Sequence, residues 1–346
     1  MRAVVFPGNR QVDVVDRERP RPGFGEVLVR TRASAICRSD MSLYYGTPIV
    51  GGDIAGTGLV IPGHEAAGDV VELGEGATGL AIGDRVAVYL AIGCGRCRYC
   101  LGGDLMLCPT WRCVGFDVDG GDADYLVVPA INCMKLPDPI SYEVGALLTD
   151  MVGTQYHVQK RLGISGASTV AIFGLGPMGG AGVLVGKARG ARVVALDVIP
   201  SRLEHAKELG ADVVIDSSQV DPVEALRALT AREGVDAAID CSGAPAAQNA
   251  ALDAARRLGS VAFVGESRET TINPSDQIIR KMLTVVGGWY FPIWEFSEIA
   301  SFVVDRGLAV ERLITHRFPV EEAERAFRMF DARETEKAVF VWGAEA

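Results

Sequence analysis

Four cysteines in one short stretch have the spacing of a metal site. Cys94, Cys97, Cys100 and Cys108 are separated by two, two and seven residues. Four thiolates at this spacing can surround one zinc ion at the usual zinc–sulfur distance of about 2.3 Å. The alternative, four free thiols, would leave the stretch prone to oxidation. Because protein fills all four positions, we predict a closed, structural zinc site that stabilises a lobe poor in apolar residues.

Cys37 and His64 are further residues whose side chains bind metals. Cys37 begins the segment Cys-Arg-Ser-Asp, and His64 stands beside Glu65 at the end of a Gly/Pro-rich loop over residues 46–63. A lone cysteine or histidine is also compatible with simple packing. A histidine beside a carboxylate on such a loop is nevertheless a candidate ligand for a metal whose other ligands lie elsewhere in the chain.

Asp150 is a third candidate for metal binding. It lies deep in a helical pattern that begins at Ser141, among the apolar residues Leu147, Leu148 and Met151. A carboxylate in apolar surroundings requires a partner, since burying it uncompensated is costly. A cation is one such partner.

Residues 168–197 have the pattern of a strand, a glycine-rich turn, a helix, a second strand and an acid. Gly174 would make the tight turn, Gly176 would let the backbone approach a pyrophosphate, and Gly179 would let helix and strand pack closely. The helix N-terminus would offer N–H groups to the phosphates. Asp197, 23 residues after Gly174, would accept hydrogen bonds from an adenosine ribose. We predict a dinucleotide site; a glycine-rich turn in an α/β domain that binds no nucleotide is the alternative.

Strands and helices alternate through this part of the chain. The expected strands lie near 168–173, 192–196, 212–215, 235–240, 259–264 and 283–287, and the expected helices near 201–209, 221–231 and 245–257. Six strands with helical connections predict an α/β fold with a complete doubly wound parallel sheet. Residues 1–35 instead show short strands without helices, which favours a largely antiparallel region that the C-terminal segment rejoins.

The overall composition bounds the class of protein. A chain of 346 residues is expected to form two domains. The net charge of −10 and the absence of a Lys/Arg cluster argue against a nucleic-acid partner. No stretch has the roughly 18 uninterrupted apolar residues of a membrane span, and the first residues lack the apolar core of a signal peptide, so the cytoplasm is the expected location.

Other cysteines and aromatic residues receive weaker assignments. We expect three cysteines outside the cluster to pack as small apolar residues: Cys113, Cys133 and Cys241. Candidate walls of a substrate pocket, with core or interface positions as the alternative, are Trp111, Tyr45, Trp289 and Tyr290.

These residues together resemble the zinc-dependent medium-chain alcohol and polyol dehydrogenases, of the sorbitol and threonine dehydrogenase type, over the whole chain. The resemblance rests on Pro-Gly-Phe-Gly-Glu-Val-Leu-Val near the start, Cys37-x-Ser39-Asp40, Gly63-His64-Glu65, Gly83-Asp84-Arg85-Val86, the four-cysteine lobe and Gly174-Leu-Gly176-Pro-Met-Gly179. It implies a GroES-like, β-rich catalytic domain of residues 1–150 and 292–346, with the structural zinc lobe at about 93–110. Residues 151–291 would form a Rossmann domain.

The resemblance also assigns the catalytic residues. The catalytic zinc would be held by Cys37, His64 and Asp150, with aspartate at a position that is cysteine in many members. Glu65 would be the neighbouring carboxylate that can swing in as an alternate ligand. Ser39 would accept the proton of the substrate hydroxyl and pass it on, with the cofactor ribose as one route.

The cofactor residues follow from the same resemblance. The nucleotide would contact Gly174, Gly176, Pro177, Met178, Gly179, Asp197, Arg202, Thr154 and, through the pyrophosphate, Arg38. Asp197 has no basic residue directly after it and should repel a 2′-phosphate, which favours NAD over NADP. Arg202, five residues on, is the feature that favours NADP.

The implied activity is hydride transfer between NAD(H) and a secondary alcohol, polyol or cyclitol, or the matching ketone, by a homodimer or homotetramer. Three features depart from the family pattern: Ser42 stands where a proton-relay histidine is usual, Arg38 follows the first zinc cysteine as in the classical alcohol dehydrogenases, and the loop between Cys37 and His64 is longer than expected. The alternatives are a zinc-free enone or quinone reductase of the same superfamily and a cofactor-binding protein without catalysis.

Overall fold

The computed structural model describes residues 1–47 and 60–343. The chain divides into two compact units. The first contains Met1–Asp150, Phe291–Asp305 and Val310–Ala346, and the second contains Met151–Tyr290 with Arg306–Ala309. Most of the loop expected over residues 46–63 lies outside the described residues. Among the described residues, no helix has both the length and the apolar character needed to cross a bilayer.

The first unit is built mainly of antiparallel strands. Before the second unit its strands are β1 (Arg2–Gly8), β2 (Gln11–Asp16), β3 (Glu26–Ala35), β4 (Glu65–Leu73), β5 (Arg85–Val88), β6 (Ala91–Ile92), β7 (Arg112–Cys113), β8 (Tyr125–Pro129) and β9 (Cys133–Lys135). Its short helices there are α1 (Asp40–Tyr44), α2 (Arg98–Gly102) and α3 (Tyr142–Leu148). β3 is buried along most of its length because β4 and β8 pair with it on its two edges.

The second unit alternates helices and strands. In chain order these are α4 (Met151–Arg161), β10 (Thr169–Phe173), α5 (Pro177–Ala188), β11 (Arg192–Asp197), α6 (Pro200–Glu208), β12 (Val213–Asp216), α7 (Pro222–Leu229), β13 (Val235–Asp240), α8 (Pro245–Ala254), β14 (Ala255–Phe263) and β15 (Thr284–Gly287). The strands form one six-stranded sheet in the order β12-β11-β10-β13-β14-β15, and every pair is parallel. This confirms the predicted doubly wound sheet.

The helix expected over residues 245–257 is shorter than predicted. Helix α8 ends at Ala254, and Ala255 already has the extended conformation of β14. Leu258 has a positive φ of 60°, and the register between β13 and β14 shifts in the same region. The helix is therefore followed directly by an irregular first part of β14, which the spacing of the apolar residues does not predict.

The C-terminal segment returns to the first unit with α9 (Phe296–Asp305), β16 (Ile314–Phe318), α10 (Ala323–Asp331) and β17 (Lys337–Val341). β17 pairs antiparallel with β3 and parallel with β16. Within the described residues the sheet order is β16-β17-β3-β4-β5-β9, with β8 also on β3. Phe6, Phe327 and Phe340 pack in the core beneath these strands.

The prediction that Asp150 lies deep inside a helix is wrong. Helix α3 ends at Leu148 and α4 begins at Met151, which leaves Thr149 and Asp150 in a two-residue break. Both the amide N–H and the hydroxyl of Thr149 donate to the carbonyl of Ala146, at 3.2 and 2.7 Å. This i to i−3 closure ends the helix and leaves Asp150 at the break, with 5% of its surface exposed.

Candidate metal and cofactor sites

Three neighbouring strands of the first unit end at the candidate catalytic site. Ala35, the last residue of β3, pairs with Glu65 at the start of β4 and with Val339 in the middle of β17, and the N–H of the next residue, Ile36, donates to the carbonyl of Ala338 at 2.9 Å. Cys37 follows β3 by two residues, and His64 directly precedes β4. Paired strand ends bring these segments together although they are far apart in the sequence.

Four side chains with metal-binding atoms converge at this point. One donor atom each of Cys37, His64, Glu65 and Asp150 lies within 4.8 Å of the others. Asp150 Oδ2 is 3.5 Å from Cys37 Sγ and 3.5 Å from His64 Nε2. A tetrahedron of such donors around zinc has edges of roughly 3.4 to 3.8 Å. The donor set, a thiolate, an imidazole and a carboxylate with one position left open, therefore fits a catalytic zinc.

Asp40 orients His64 and was not assigned a role from the sequence. Its Oδ1 lies 2.9 Å from His64 Nδ1, and its Oδ2 accepts the backbone N–H of Cys37 at 2.8 Å. With Nδ1 held by a carboxylate, Nε2 is the nitrogen that faces Asp150. One buried carboxylate thus positions two candidate ligands. The available signal was its position three residues after Cys37, at the start of a helix.

The pKa values at this site reflect burial and mutual charge. Burial and the Asp150 carboxylate raise the pKa of the Cys37 thiol. Burial alone would lower the pKa of His64, but the carboxylates of Asp40 and Asp150 raise it well above its ordinary value. Burial would likewise raise the pKa of Asp150, but its contact with His64 holds it below the usual range. Such a set of strongly coupled donors is typical of a functional site.

Glu65 is paired with a buried lysine that sequence reasoning missed. Lys337 Nζ donates to Glu65 Oε1 at 2.5 Å and to the carbonyl of Ile36 at 3.0 Å. Burial raises the pKa of Glu65 to about 7. Burial would lower the pKa of Lys337, yet the neighbouring acidic groups raise it above its ordinary value. The two residues are 272 positions apart, so no spacing in the sequence could have indicated the pair.

Ser39 lies at the same site. Its Oγ is 3.4 Å from His64 Nε2, which places the hydroxyl at the donor cluster. Ser42, where the family pattern has a histidine, is buried on α1. The exposed Arg38 points to Tyr45, with Nη1 3.5 Å from the phenol oxygen.

A glycine and a buried aspartate shape the turn before His64. Gly63 has φ of +94°, and a Cβ there would lie 2.3 Å from Asp122 Oδ1. The amides of Gly121 and Asp122 donate to the carbonyls of Gly63 and Pro62, at 2.7 and 3.0 Å. Asp122 itself is fully buried and accepts a 2.6 Å hydrogen bond from Ser34 Oγ. Its Oδ2 has no partner in the described part of the chain.

Asp122 is expected to make the protein less stable as the pH rises. Burial raises its pKa from 3.8 to about 7. Below 3.8 both folded and unfolded chains carry the proton; between 3.8 and 7 only the folded chain keeps it, so the free energy of unfolding falls by roughly 1 kcal/mol per pH unit. Asp122→Asn, which keeps an acceptor for Ser34, should be more stable than wild type at pH 8. Urea unfolding at several pH values measures this difference.

Asp124 provides a control of opposite sign. Burial would raise its pKa, but the hydrogen bonds from Arg2 hold it below its ordinary value, so this carboxylate stabilises the fold above that value and loses its effect as the pH falls. Asp124→Asn should therefore be less stable than wild type at neutral pH, with a difference that shrinks in acid. Equal pH profiles for the two variants would contradict the account of Asp122.

The four cysteines of the lobe also come together. Their sulfur atoms all lie within 4.8 Å of one another, with 3.5 Å between Cys97 and Cys100 and 3.9 Å between Cys94 and Cys100. These values bracket the edge of about 3.8 Å that four sulfurs form around zinc. Although burial would raise it, the backbone N–H groups of Cys94 and Thr110 lower the pKa of Cys108 to about 6, which favours the thiolate. The cluster fits a closed zinc site.

The glycine-rich turn lies in the second unit, at the switch point between β10 and β13. Gly174 has φ of +86°, and a Cβ on Gly179 would lie 1.9 Å from the Gly174 carbonyl oxygen. A Cβ on Gly176 would meet nothing nearer than the Arg202 guanidinium at 3.8 Å. Gly176 caps α5 without a side-chain hydrogen bond, so the first N–H groups of this helix suit a phosphate.

Asp197 lies beside this turn, at the end of β11. It is 8% exposed and accepts the backbone N–H groups of Leu175, Val198 and Ile199 at 2.6, 2.7 and 3.0 Å. Arg202 Nη1 is 3.9 Å from Asp197 Oδ2. The site therefore brings together the predicted acid and the predicted cation.

The remaining candidates are placed as follows. Pro177 and Met178 open α5, and Thr154 is buried on α4. Trp289 and Tyr290 contact each other, with ring centres 5.6 Å apart, and Trp111 is partly exposed. Cys113 and Cys133 are buried, and the sulfur of Cys241 accepts a 3.2 Å hydrogen bond from Gln155.

A parallel six-stranded sheet with a glycine-rich turn, joined in one chain to a β-rich unit with two metal-donor clusters, defines the class of zinc-binding dehydrogenases. Residues 23–138 match the alcohol dehydrogenase GroES-like domain, and residues 177–305 match the zinc-binding dehydrogenase domain. The chain belongs to the zinc-type medium-chain alcohol dehydrogenase family, as the sequence resemblance predicted.

Relatives and solved structures match nearly the full chain. L-threonine 3-dehydrogenase of Pyrococcus horikoshii is 36% identical over 95% of this chain and 94% of its own. The uncharacterized zinc-type alcohol dehydrogenase-like protein YphC of Escherichia coli K12 is 33% identical over 98% of both. The alcohol dehydrogenase TADH of Thermus sp. ATN1 is 32% identical, with a TM-score of 0.91 over 99% of both chains.

Two similar structures contain a nicotinamide nucleotide. An alcohol dehydrogenase from Escherichia coli CFT073, complexed with NADH, is 27% identical with a TM-score of 0.89 over 99% of both chains. A putative zinc-binding dehydrogenase from Sinorhizobium meliloti 1021, bound to NADP, is 28% identical with the same TM-score over 99% of both.

Proposed function

We propose that this protein is a zinc-dependent dehydrogenase that transfers hydride between NAD(H) and a secondary alcohol, polyol or cyclitol, or the matching ketone. The observation that carries the proposal is the convergence of Cys37 Sγ, His64 Nε2 and Asp150 Oδ2 with the edge lengths of a tetrahedral zinc site. Secondary alcohols are favoured because L-threonine 3-dehydrogenase, which shares 36% identity with this chain, is named for oxidation at a secondary carbon.

The residues of the candidate catalytic site have distinct tasks. Cys37, His64 and Asp150 would hold the catalytic zinc, which when bound supplies a Lewis acid that lowers the pKa of an alcohol hydroxyl. Asp40 fixes the imidazole so that Nε2 faces the other donors. Ser39, 3.4 Å from that nitrogen, is the group that we expect to relay the hydroxyl proton: its Oγ accepts the substrate's proton while its own O–H proton passes onward toward solvent.

The four-cysteine lobe has a separate, structural role in this proposal. A second zinc held by Cys94, Cys97, Cys100 and Cys108 would leave no open position for a substrate. The protein would therefore contain two zinc ions per chain with different functions.

NAD is the proposed cofactor, held in the second unit by the turn from Gly174 to Gly179 and the N-terminus of α5. The charge of Asp197 supports NAD because it would repel a 2′-phosphate, whereas Arg202 would attract one. The family pattern further assigns Thr154 and Arg38 to cofactor binding.

The balance between Asp197 and Arg202 is expected to set the cofactor preference. Asp197→Asn removes the charge and should raise kcat/KM with NADP relative to NAD about tenfold, since two charges about 4 Å apart interact by roughly 1 to 4 kcal/mol. Arg202→Ala should shift the same ratio in the opposite direction. Steady-state kinetics with both cofactors measure the two ratios, and thermal unfolding shows whether the variants fold. If Asp197→Asn has the same ratio of kcat/KM with NADP to kcat/KM with NAD as wild type, Asp197 does not set the cofactor preference.

The proposed assembly is a homodimer or homotetramer. β15 lies at the edge of the six-stranded sheet, and exposed apolar side chains lie on and near it, Val285 at 36%, Leu258 at 67% and Met282 at 71%. An edge strand with apolar side chains readily pairs with another chain. A monomeric mass in light scattering would contradict this assembly.

Zinc analysis combined with a substrate panel tests the function. We expect two zinc ions per chain and reduction of NAD with one or more members of a panel of secondary alcohols, polyols and inositols. Turnover of enones or quinones without zinc would instead identify the zinc-free reductase branch. Zinc and nucleotide binding without turnover of any alcohol or ketone would identify a protein that has lost catalysis.

A further inference from the structure

Lys337 is a lysine in a position where lysines are rarely found. It begins β17 and is only 1% exposed, whereas lysine is almost never fully buried unless it is paired. Its ammonium group donates to Glu65 Oε1 and to the carbonyl of Ile36. Ile36 directly precedes Cys37, and Glu65 directly follows His64. Lys337 therefore contacts the neighbours of two proposed zinc ligands.

Glu65 has two possible cationic partners. One of its carboxylate oxygens lies within 4.8 Å of the donor atoms of Cys37, His64 and Asp150. Its Oε2 is buried and has no hydrogen-bond partner among the described residues. A buried carboxylate oxygen without a partner is unfavourable, so Glu65 would gain by moving onto a cation held by those three donors.

We propose that Lys337 is a positioning residue that keeps Glu65 off the catalytic metal, so that the fourth position stays open for substrate. The inference rests on the proposed zinc site. The ion pair and the metal compete for one carboxylate, and the lysine is anchored on its other side by the Ile36 carbonyl. Loss of the ammonium group would leave Glu65 with the metal as its remaining cationic partner.

Replacing Lys337 with methionine separates this role from simple packing. In Lys337→Met, Glu65 should occupy the fourth position, so zinc should leave the catalytic site roughly tenfold more slowly while kcat/KM falls roughly 10- to 100-fold. A purely structural lysine would produce faster zinc loss together with lower activity. A chromophoric chelator reports the rate at which each zinc ion is released. Asp150→Asn should lack the kinetic phase of the catalytic zinc, which identifies that phase in the other variants.

Glu65→Gln and Lys337→Arg complete the test. Introduced into the Lys337→Met background, Glu65→Gln should abolish the slowing, because the carboxylate that occupies the fourth position is then gone. Lys337→Arg, which keeps the charge, should release zinc at the wild-type rate. If Lys337→Met does not fold, Lys337→Gln, which keeps an N–H donor for the Ile36 carbonyl but removes the charge, takes its place with the same expected outcomes, and zinc release that is unchanged or faster in that variant overturns the proposal.

The outcomes also separate this inference from the proposed function. Wild-type protein without a catalytic zinc overturns both. Two zinc ions in wild type, with zinc release from Lys337→Met that is unchanged or faster, overturn only the role of Lys337. Slower release combined with lower kcat/KM supports it.

Discussion

Asp150→Asn is expected to lose the catalytic zinc and to lower kcat/KM roughly a thousandfold, since Lewis-acid stabilisation by a metal is worth several kcal/mol. The variant keeps the size of the side chain but replaces a carboxylate, 3.5 Å from both Cys37 Sγ and His64 Nε2, by a neutral amide. The amide oxygen is a weaker zinc ligand than a carboxylate, and it carries no negative charge to balance the charge of the zinc ion. The measured zinc content should fall from two ions per chain to one.

A cysteine at the same position is the matched control. Thiolate and carboxylate both carry one negative charge and both bind zinc, so Asp150→Cys should retain two zinc ions and much of the activity. The prediction fails if Asp150→Asn keeps two zinc ions and wild-type kcat/KM. Equal loss of zinc in both variants would mean that the position requires an aspartate for its fit at the helix break and not for its charge.

Cys100→Ser is expected to have the largest effect on stability. Cys100 Sγ is 3.5 Å from Cys97 Sγ and 3.9 Å from Cys94 Sγ, so its loss removes one of the four sulfurs of the cluster. Loss of a structural metal costs several kcal/mol. For a protein of this size the unfolding temperature should fall by roughly 10 °C. The catalytic zinc should remain, which gives one zinc per chain, the complement of the Asp150→Asn result.

The lobe itself should open in this variant. Arg96 and Arg98 are exposed on it, and trypsin should cleave there once the sulfur cluster no longer closes the loop. Trp294 offers a second readout, since its Nε1 donates to the Gly102 carbonyl at 3.0 Å and its fluorescence should change. Cys133→Ser, at a buried cysteine outside the cluster, should keep both zinc ions and its resistance to trypsin.

Much of the second unit was predictable because its signals are local. A strand of five or six residues, a glycine-rich turn and a helix form one continuous segment, so spacing alone identifies them. The same holds for the four cysteines, which lie within 15 residues. The end of α8 and the break at Asp150 were not predictable, because a positive φ at Leu258 and a hydroxyl bond from Thr149 interrupt apolar patterns that continue through them.

The first unit depended more strongly on tertiary structure. Cys37, His64 and Asp150 each have an alternative, structural interpretation in the sequence, and only the resemblance to a family joined them into one ligand set. The paired ends of β3, β4 and β17 bring Cys37, His64 and Lys337 together, and Asp150 reaches them from the break between α3 and α4.

The sequence by itself therefore determined the fold class, the four-cysteine cluster, the nucleotide turn and, through the family resemblance, the three candidate zinc ligands. Only the tertiary structure decided that Asp40 orients His64, that Lys337 holds Glu65 and that Asp122 lies behind Gly63. The physical reason is the separation of the interacting residues along the sequence. A turn or a metal-binding loop depends on neighbouring residues, whereas the partner of a buried charge depends on which distant strand ends lie side by side in the sheet.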